Sequence, residues 1–347
     1  MFGILRYLLA LLVAINHLWF DRWYGFYAVF GFYLLSGYLM TLVLTTTYAA
    51  SWDGLRRYFG NRALRIYPAY LAFAFLGLSL AALEPELARG VHRAIFVPEA
   101  PLDWLKNLSI FGLLNYRPPR LVPPAWSLHV ELVFYVLMGL GLSRWRSGAL
   151  LWLGASVAYT GYLLQTGADW QARYFSVFAA SLPFSMGAVL CHFRAHLAAW
   201  ADARLAIAAV VAFLVNTLWA DHLWGWVEGQ GFYASLVLVL ASVACLASLD
   251  PSQAPSWLRR CDRWLGDLAY GVFLCHYAAA IAVRWLFGGH LGEGLALLAA
   301  SVGGFHLLAW LGYVLVERPV GGLRDRLRPA RRPVTPPARA GSDTDSG

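Results

Sequence analysis

Charge is what this sequence has least of. Only 13% of its 347 residues are Asp, Glu, Lys or Arg, where a soluble chain carries roughly a quarter. So few charges cannot cover a water-facing surface, which excludes an ordinary soluble enzyme. Lysine is almost missing: Lys106 is the single one, and the other basic side chains are arginines. The net charge of +8 falls in short loops and in the C-terminal segment. That placement suits membrane-flanking arginines and not a nucleic-acid groove, so no nucleic-acid partner is expected. Cysteine is scarce too. Cys191, Cys245, Cys261 and Cys275 include no Cys-x-x-Cys pair, so no zinc ligand set and no metal is expected. All four fall in loops or helix halves read as cytoplasmic, which suits reduced thiols and not disulfides. The first apolar run lacks a small-residue cleavage site and reads as a retained helix.

Apolar residues fill the space that charge leaves. The chain is 60% hydrophobic, with a mean hydropathy of +0.56. The expected fold is all-α, a polytopic membrane helical bundle of about ten transmembrane helices. The apolar runs predict spans at 4–20, 26–47, 63–83, 127–143, 148–165, 173–191, 205–221, 231–249, 267–286 and 294–316. A weaker run, 102–114, is too short to cross and is expected to be a re-entrant or interfacial segment. Arginines then set the orientation. Arg56, Arg57 and Arg62, Arg144 and Arg146, Arg194 and Arg204, Arg259, Arg260 and Arg263, and the segment after Glu317 all fall on one side. That side is read as cytoplasmic, with both termini inside and a multi-pass protein in the cell (inner or plasma) membrane. Residues 1–322 form the membrane domain, and 323–347 read as a basic, disordered cytoplasmic tail.

Polar residues inside apolar runs need a reason, because an ionisable group in lipid is costly and usually faces a cavity or a partner. Arg6 and His17 share the first span, eleven positions apart and on nearly the same helix face, about 16 Å apart along the axis. Packing against a neighbour is the plain alternative for His17. Arg62 and Arg65, three apart in NRALRIYP, could clamp a phosphate-bearing donor or simply anchor the helix. Glu131 in WSLHVELVFY enters the membrane from the outer side, where it could orient a histidine or hold a substrate hydroxyl; Trp126 and Ser127 precede it. Ser36 and Gly37 in FGFYLLSGYLM read chiefly as a helix-packing face. His276, after Asp267 and Tyr270 in LGDLAYGVFLCH, could line the same cavity or pack on a neighbouring helix. Glu317 in VERP is expected to pair with a nearby arginine.

Taken together and in this order, Arg6-x10-His17, FGFYLLSGYLM, NRALRIYP, WSLHVELVFY, LGDLAYGVFLCH and VERP resemble the acyltransferase 3 family of bacterial integral-membrane O-acyltransferases. The resemblance spans nearly the whole membrane region. It implies transfer of an acyl group, often acetyl, from cytoplasmic acyl-CoA to a hydroxyl of a carbohydrate, a lipid-linked glycan or another small acceptor. It also implies His17 as catalytic, links Arg6, Arg62 and Arg65 to donor binding or active-site structure, and puts the Glu131 carboxylate near the site. Glu131 is accordingly expected to be catalytic with His17, the three arginines to bind the donor, and Trp126, Ser127 and His276 are the candidate acceptor contacts. One departure stands out: the connection between His17 and Phe30 is short.

The chemistry is consistent with these residues. A neutral histidine taking the hydroxyl proton contributes about 10²–10⁴-fold, and an arginine or backbone amide could hold the developing oxyanion. A secondary transporter is the main competing reading, since midplane ionisable groups suit one as well. No repeat between the two halves is evident, and the arginines gather on one face. Another class of histidine-dependent membrane acyltransferase would predict the same chemistry without the paired arginines. Oligomeric state is not legible in the sequence.

Overall fold

Inside a bilayer no water is present to satisfy backbone N–H and C=O groups, so each apolar run closes its own hydrogen bonds as a helix. The computed structural model describes residues 2–19, 23–197, 202–292 and 294–327, and among these it contains helices and no strands. In chain order they are α1 (Gly3–Leu18), α2 (Tyr24–Thr46), α3 (Trp52–Leu83), α4 (Pro85–Val91), α5 (Pro101–Ser109), α6 (Ala125–Gly139) and α7 (Arg146–Gln165). There follow α8 (Ser181–Leu197), α9 (Ala203–Leu218), α10 (Ala220–Leu223), α11 (Phe232–Ser248), α12 (Ser256–Leu286), α13 (Leu295–Gly312) and α14 (Arg318–Leu327).

Each of the ten expected spans overlaps a helix of this set. Among the described residues six helical stretches are long and apolar enough to cross a membrane, and α1, α6 and α9 are shorter apolar helices. Two helices overrun their apolar runs. Ser51 caps α3 by accepting from the Gly54 N–H at 3.2 Å, so the helix starts at Trp52 and takes in Arg56, Arg57 and Arg62. With 32 residues it is about 48 Å long. In the same way α12 begins at Ser256 and carries Arg259, Arg260 and Arg263, residues expected in a loop. One span begins later than expected. Residues 171–175 form a separate π-helical turn, and α8 starts only at Ser181. Arg173 accounts for the break: buried between the Trp170 and Trp226 rings, it donates to the carbonyls of Ala168 and Glu228.

The stretch 102–114 contains α5, nine residues and about 13 Å long, well short of the roughly 30 Å hydrocarbon core. Leu102, Leu105 and Leu108 are all exposed on one face of α5, as a helix lying in the membrane interface requires. Its other side is pinned. Asn107 donates to the carbonyls of Asp103 and Pro119 and accepts from the Leu121 N–H. Tyr70 of α3 donates to the Asn107 carbonyl at 2.6 Å. At the other end of the chain α14 runs to Leu327, so the first residues of the expected tail are helical and the remainder lies outside the described residues.

The bundle centres on α1, α2, α8 and α12. Helix α2 packs along α8, while α1 lies between α2 and α12, with α13 behind α12. Outward faces are apolar, Phe75 and Leu151 among them. Between α2 and α8 the backbones nearly touch. A Cβ on Gly37 would lie 2.2 Å from the Phe184 carbonyl oxygen, and one on Gly187 2.0 Å from that of Leu34. Gly37 is therefore the packing residue its surroundings in FGFYLLSGYLM suggested. We expect Gly37→Leu or Gly187→Val to destabilise the bundle by about 1–3 kcal/mol or more. The check is the fraction of monodisperse protein after detergent extraction; Gly303→Ala, where a Cβ meets nothing within 4 Å, should extract like wild type.

Candidate active site

Two polar clusters lie inside the bundle, one of guanidinium groups and one of imidazoles. The first lines a cavity of about 400 Å³ enclosed by α1, α2, α3, α6, α12 and α14. Arg6 comes from α1, Ser36 from α2, Arg62 and Arg65 from α3, and Ser127, Glu131 and Tyr135 from α6. Asp267 and Tyr270 come from α12, and Arg324 from α14.

The four arginines are held differently. Arg65 pairs with Glu317, the partner expected to find an arginine, and its guanidinium lies 5.4 Å from the centre of the Tyr270 ring. Arg62 donates to Asn61 Oδ1 at 2.7 Å and to Met40 Sδ at 3.5 Å, while its buried Nε has no partner among the described residues. Asn61 in turn donates to the Arg324 carbonyl at 3.1 Å, tying α14 to α3. Arg6 makes no side-chain hydrogen bond or ion pair among the described residues and points into the cavity. Opposite them, Glu131 accepts from Ser36 Oγ at 2.6 Å and from the Tyr135 hydroxyl. Guanidinium donors without partners in a partly enclosed space form a site for an anion that can take several charge-assisted hydrogen bonds.

The second cluster is His17 and His276. Nδ1 of His17 lies 3.0 Å from Nε2 of His276, with the rings stacked at 5.2 Å. His276 is 0% exposed. The Tyr277 ring stacks on His17 at 5.1 Å, and His92, from the loop after α4, meets Tyr277 edge-on at 4.9 Å. The cavity reaches Phe273 on α12, three residues before His276, so its inner end stops about one helical turn short of the imidazoles.

The residues singled out in the sequence thus divide into two groups. Arg6, Arg62, Arg65, Ser127 and Glu131 share the cavity. His17 and His276 meet each other about one helical turn beyond it and do not line it. Glu131 makes no hydrogen bond to His17 among the described residues; its Oε1 accepts from both Ser36 and Tyr135. Trp126 is buried in an aromatic cluster against Tyr174 and Phe175 and is not among the residues lining the cavity. His129 accepts from the Gly112 N–H and so holds the loop between α5 and α6. Three residues at these two clusters carry no signal that was used in the sequence. Tyr135 follows Glu131 by four positions on one helix, a spacing that could have revealed it. Arg324 lay in the expected tail, and His92 in a loop without pattern.

The chain matches the Acyltransferase domain family over residues 2–316 and belongs to it. Nodulation protein 10 of Rhizobium leguminosarum bv. viciae is 27% identical, over 94% of this chain and 94% of its own length. Acyltransferase MdmB of Streptomyces mycarofaciens is 24% identical, over 88% of this chain and 83% of its own. A Bacillus subtilis (strain 168) protein with the provisional name peptidoglycan O-acetyltransferase YrhL is 26% identical over 74% of this chain, which spans 44% of that relative's length. No solved structure matches the chain.

His92 supplies a measurable property of the loop between α4 and α5. Burial, with Arg120, Arg93 and His276 nearby, pushes its pKa down to about 4, whereas an unfolded histidine titrates near 6.5. Between those values the unfolded chain binds the proton and the folded chain does not. The contribution of a neutral His92 to stability is complete above about pH 6.5 and is lost as pH falls toward 4. We expect the melting temperature in detergent to drop between pH 7 and pH 5, and His92→Gln to flatten that drop. An unchanged pH slope in the variant would contradict the assignment.

Proposed function

We propose that this protein transfers an acyl group, acetyl in the first instance, from cytoplasmic acyl-CoA to a hydroxyl of a carbohydrate or lipid-linked glycan. The observation that carries the reading is a juxtaposition: a cavity lined by Arg6, Arg62, Arg65 and Arg324 reaches Phe273, about one turn from the paired imidazoles of His17 and His276. The phosphates of CoA are the anions those guanidinium groups suit, and the acyl-bearing arm would extend along the cavity toward the imidazoles. The names of the relatives, one a peptidoglycan O-acetyltransferase and one an acyltransferase, support acyl transfer and a carbohydrate acceptor. Arginines clustered on one side of the bundle support a cell-membrane orientation with that mouth and both termini cytoplasmic.

In this reading His17 is the general base. It takes the proton of the acceptor hydroxyl as the oxygen bonds to the thioester carbonyl carbon. The C–S bond then breaks, the new ester leaves, and the proton passes from His17 to the departing thiolate. Overall, thioester and alcohol become ester and thiol. Glu131, fixed by Ser36 and Tyr135, offers its remaining acceptor sites to the donor's amide groups or to an incoming hydroxyl.

The arginines differ in how cleanly they can be tested. Removing Arg65 leaves Glu317 buried without its partner, which destabilises by about 3–5 kcal/mol whatever the donor does. Arg6 has no such obligation. We expect Arg6→Gln to raise the acetyl-CoA KM about 10- to 100-fold, as loss of a charge-assisted hydrogen bond predicts, with the protein still folded. His17→Ala should abolish transfer of labelled acetyl groups to a glycan extract. Near wild-type transfer by His17→Ala, or an unchanged KM in Arg6→Gln, would contradict the reading.

A further inference from the structure

We propose that His276 is a positioning residue: it fixes the tautomer of His17 so that Nε2 of His17 presents a lone pair to the acceptor hydroxyl. This rests on the reading of His17 as general base and assigns the origin of its basic nitrogen.

The hydrogen-bond order begins at a backbone carbonyl. Nδ1 of His276 lies 3.2 Å from the Val272 carbonyl oxygen. A carbonyl oxygen only accepts, so Nδ1 of His276 carries the proton. A neutral imidazole has one N–H, which leaves Nε2 of His276 as an acceptor. The alternative, a His276 imidazolium, would put a charge at a fully buried position beside a second imidazole. No carboxylate bonds to His276 among the described residues, and an unpaired charge there is heavily penalised. Nε2 of His276 therefore accepts across the 3.0 Å contact, and Nδ1 of His17 donates. The one remaining nitrogen of His17 is Nε2, without a proton and without a hydrogen bond among the described residues.

This is the task that an orienting carboxylate performs in a Ser-His-Asp triad, carried out here by a neutral imidazole. Tyr277, stacked on His17, limits rotation of the ring. While His17 holds the hydroxyl proton on Nε2 it has two N–H groups. Its Nδ1–H keeps donating to His276, and the Nε2–H is the proton returned to the thiolate. His276 itself gains and loses nothing.

The test joins a spectrum with kinetics. In ¹⁵N-histidine-labelled wild-type protein, His17, assigned by its loss in His17→Ala, should be the Nδ1–H tautomer. In His276→Phe, which keeps the ring volume and removes the acceptor, the Nε2–H form should appear. His276→Phe should lower kcat about 10²-fold with the acetyl-CoA KM little changed. His276→Gln, whose amide can both accept from His17 and donate to Val272, should restore kcat to within about tenfold of wild type. An Nε2–H tautomer at His17 in the wild type would overturn the proposal. So would undiminished kcat in His276→Phe, or equal losses of kcat in the Phe and Gln variants. Should His276→Phe not fold, the wild-type spectrum and the Gln variant decide. Absence of transfer by the wild type from any acyl-CoA would count against the general-base reading, and the spectrum would still decide the tautomer.

Discussion

A guanidinium group within an apolar bundle must meet an acceptor, and that requirement organises this structure. Arg65 meets it with Glu317, Arg173 with two backbone carbonyls, and Arg120 with the carbonyls of Leu114, Asn115 and Pro123. Arg6 does not meet it among the described residues, and Arg62 meets it only in part. Both exceptions face the same cavity. A stable fold keeps such groups where a ligand completes them, so these two side chains are the strongest indication of an anionic substrate.

The imidazole pair obeys the same rule in another form. Each nitrogen of His276 is used, one toward Val272 and one toward His17, leaving a single nitrogen of the pair unengaged among the described residues. Close packing makes this order rigid. Helices α1 and α12 approach closely enough that a Cβ on Gly266 would lie 2.8 Å from the Gly3 Cα, which keeps the Arg6 to His17 face of α1 against the Asp267 to His276 face of α12. The guanidinium end and the imidazole end of the site are therefore set by one helix pair.

Much of this was legible in the sequence, because cost in lipid singles out polar residues in apolar runs. Arg6, His17, Arg62, Arg65, Glu131 and His276 all stood out for that reason; Arg6, Arg62, Arg65 and Glu131 line the cavity, and the two histidines pair about one helical turn beyond it. Helix existence was legible as well, since each apolar run overlaps a helix. Partner choice was not. Glu131 could have served His17, but α6 directs it toward Ser36 and Tyr135, and no spacing rule links residues on different helices. The helix ends were also obscured. Hydropathy marks where lipid ends, whereas α3 and α12 continue beyond their apolar runs, through an Ser51 cap in the first case and from Ser256 in the second. Arg324 was hidden because its segment is basic and polar; α14 packs back on α3, where Asn61 donates to the Arg324 carbonyl, a contact no sequence pattern announces.

The most direct test of the central claim is a cryo-EM structure with a non-hydrolysable thioether analogue of acetyl-CoA. The account predicts phosphate density on Arg6 and Arg62, with the arm running along the cavity to bring the acyl carbon beside Nε2 of His17. Nucleotide density away from these arginines, or an acyl end remote from His17 while the phosphates sit on them, would contradict it.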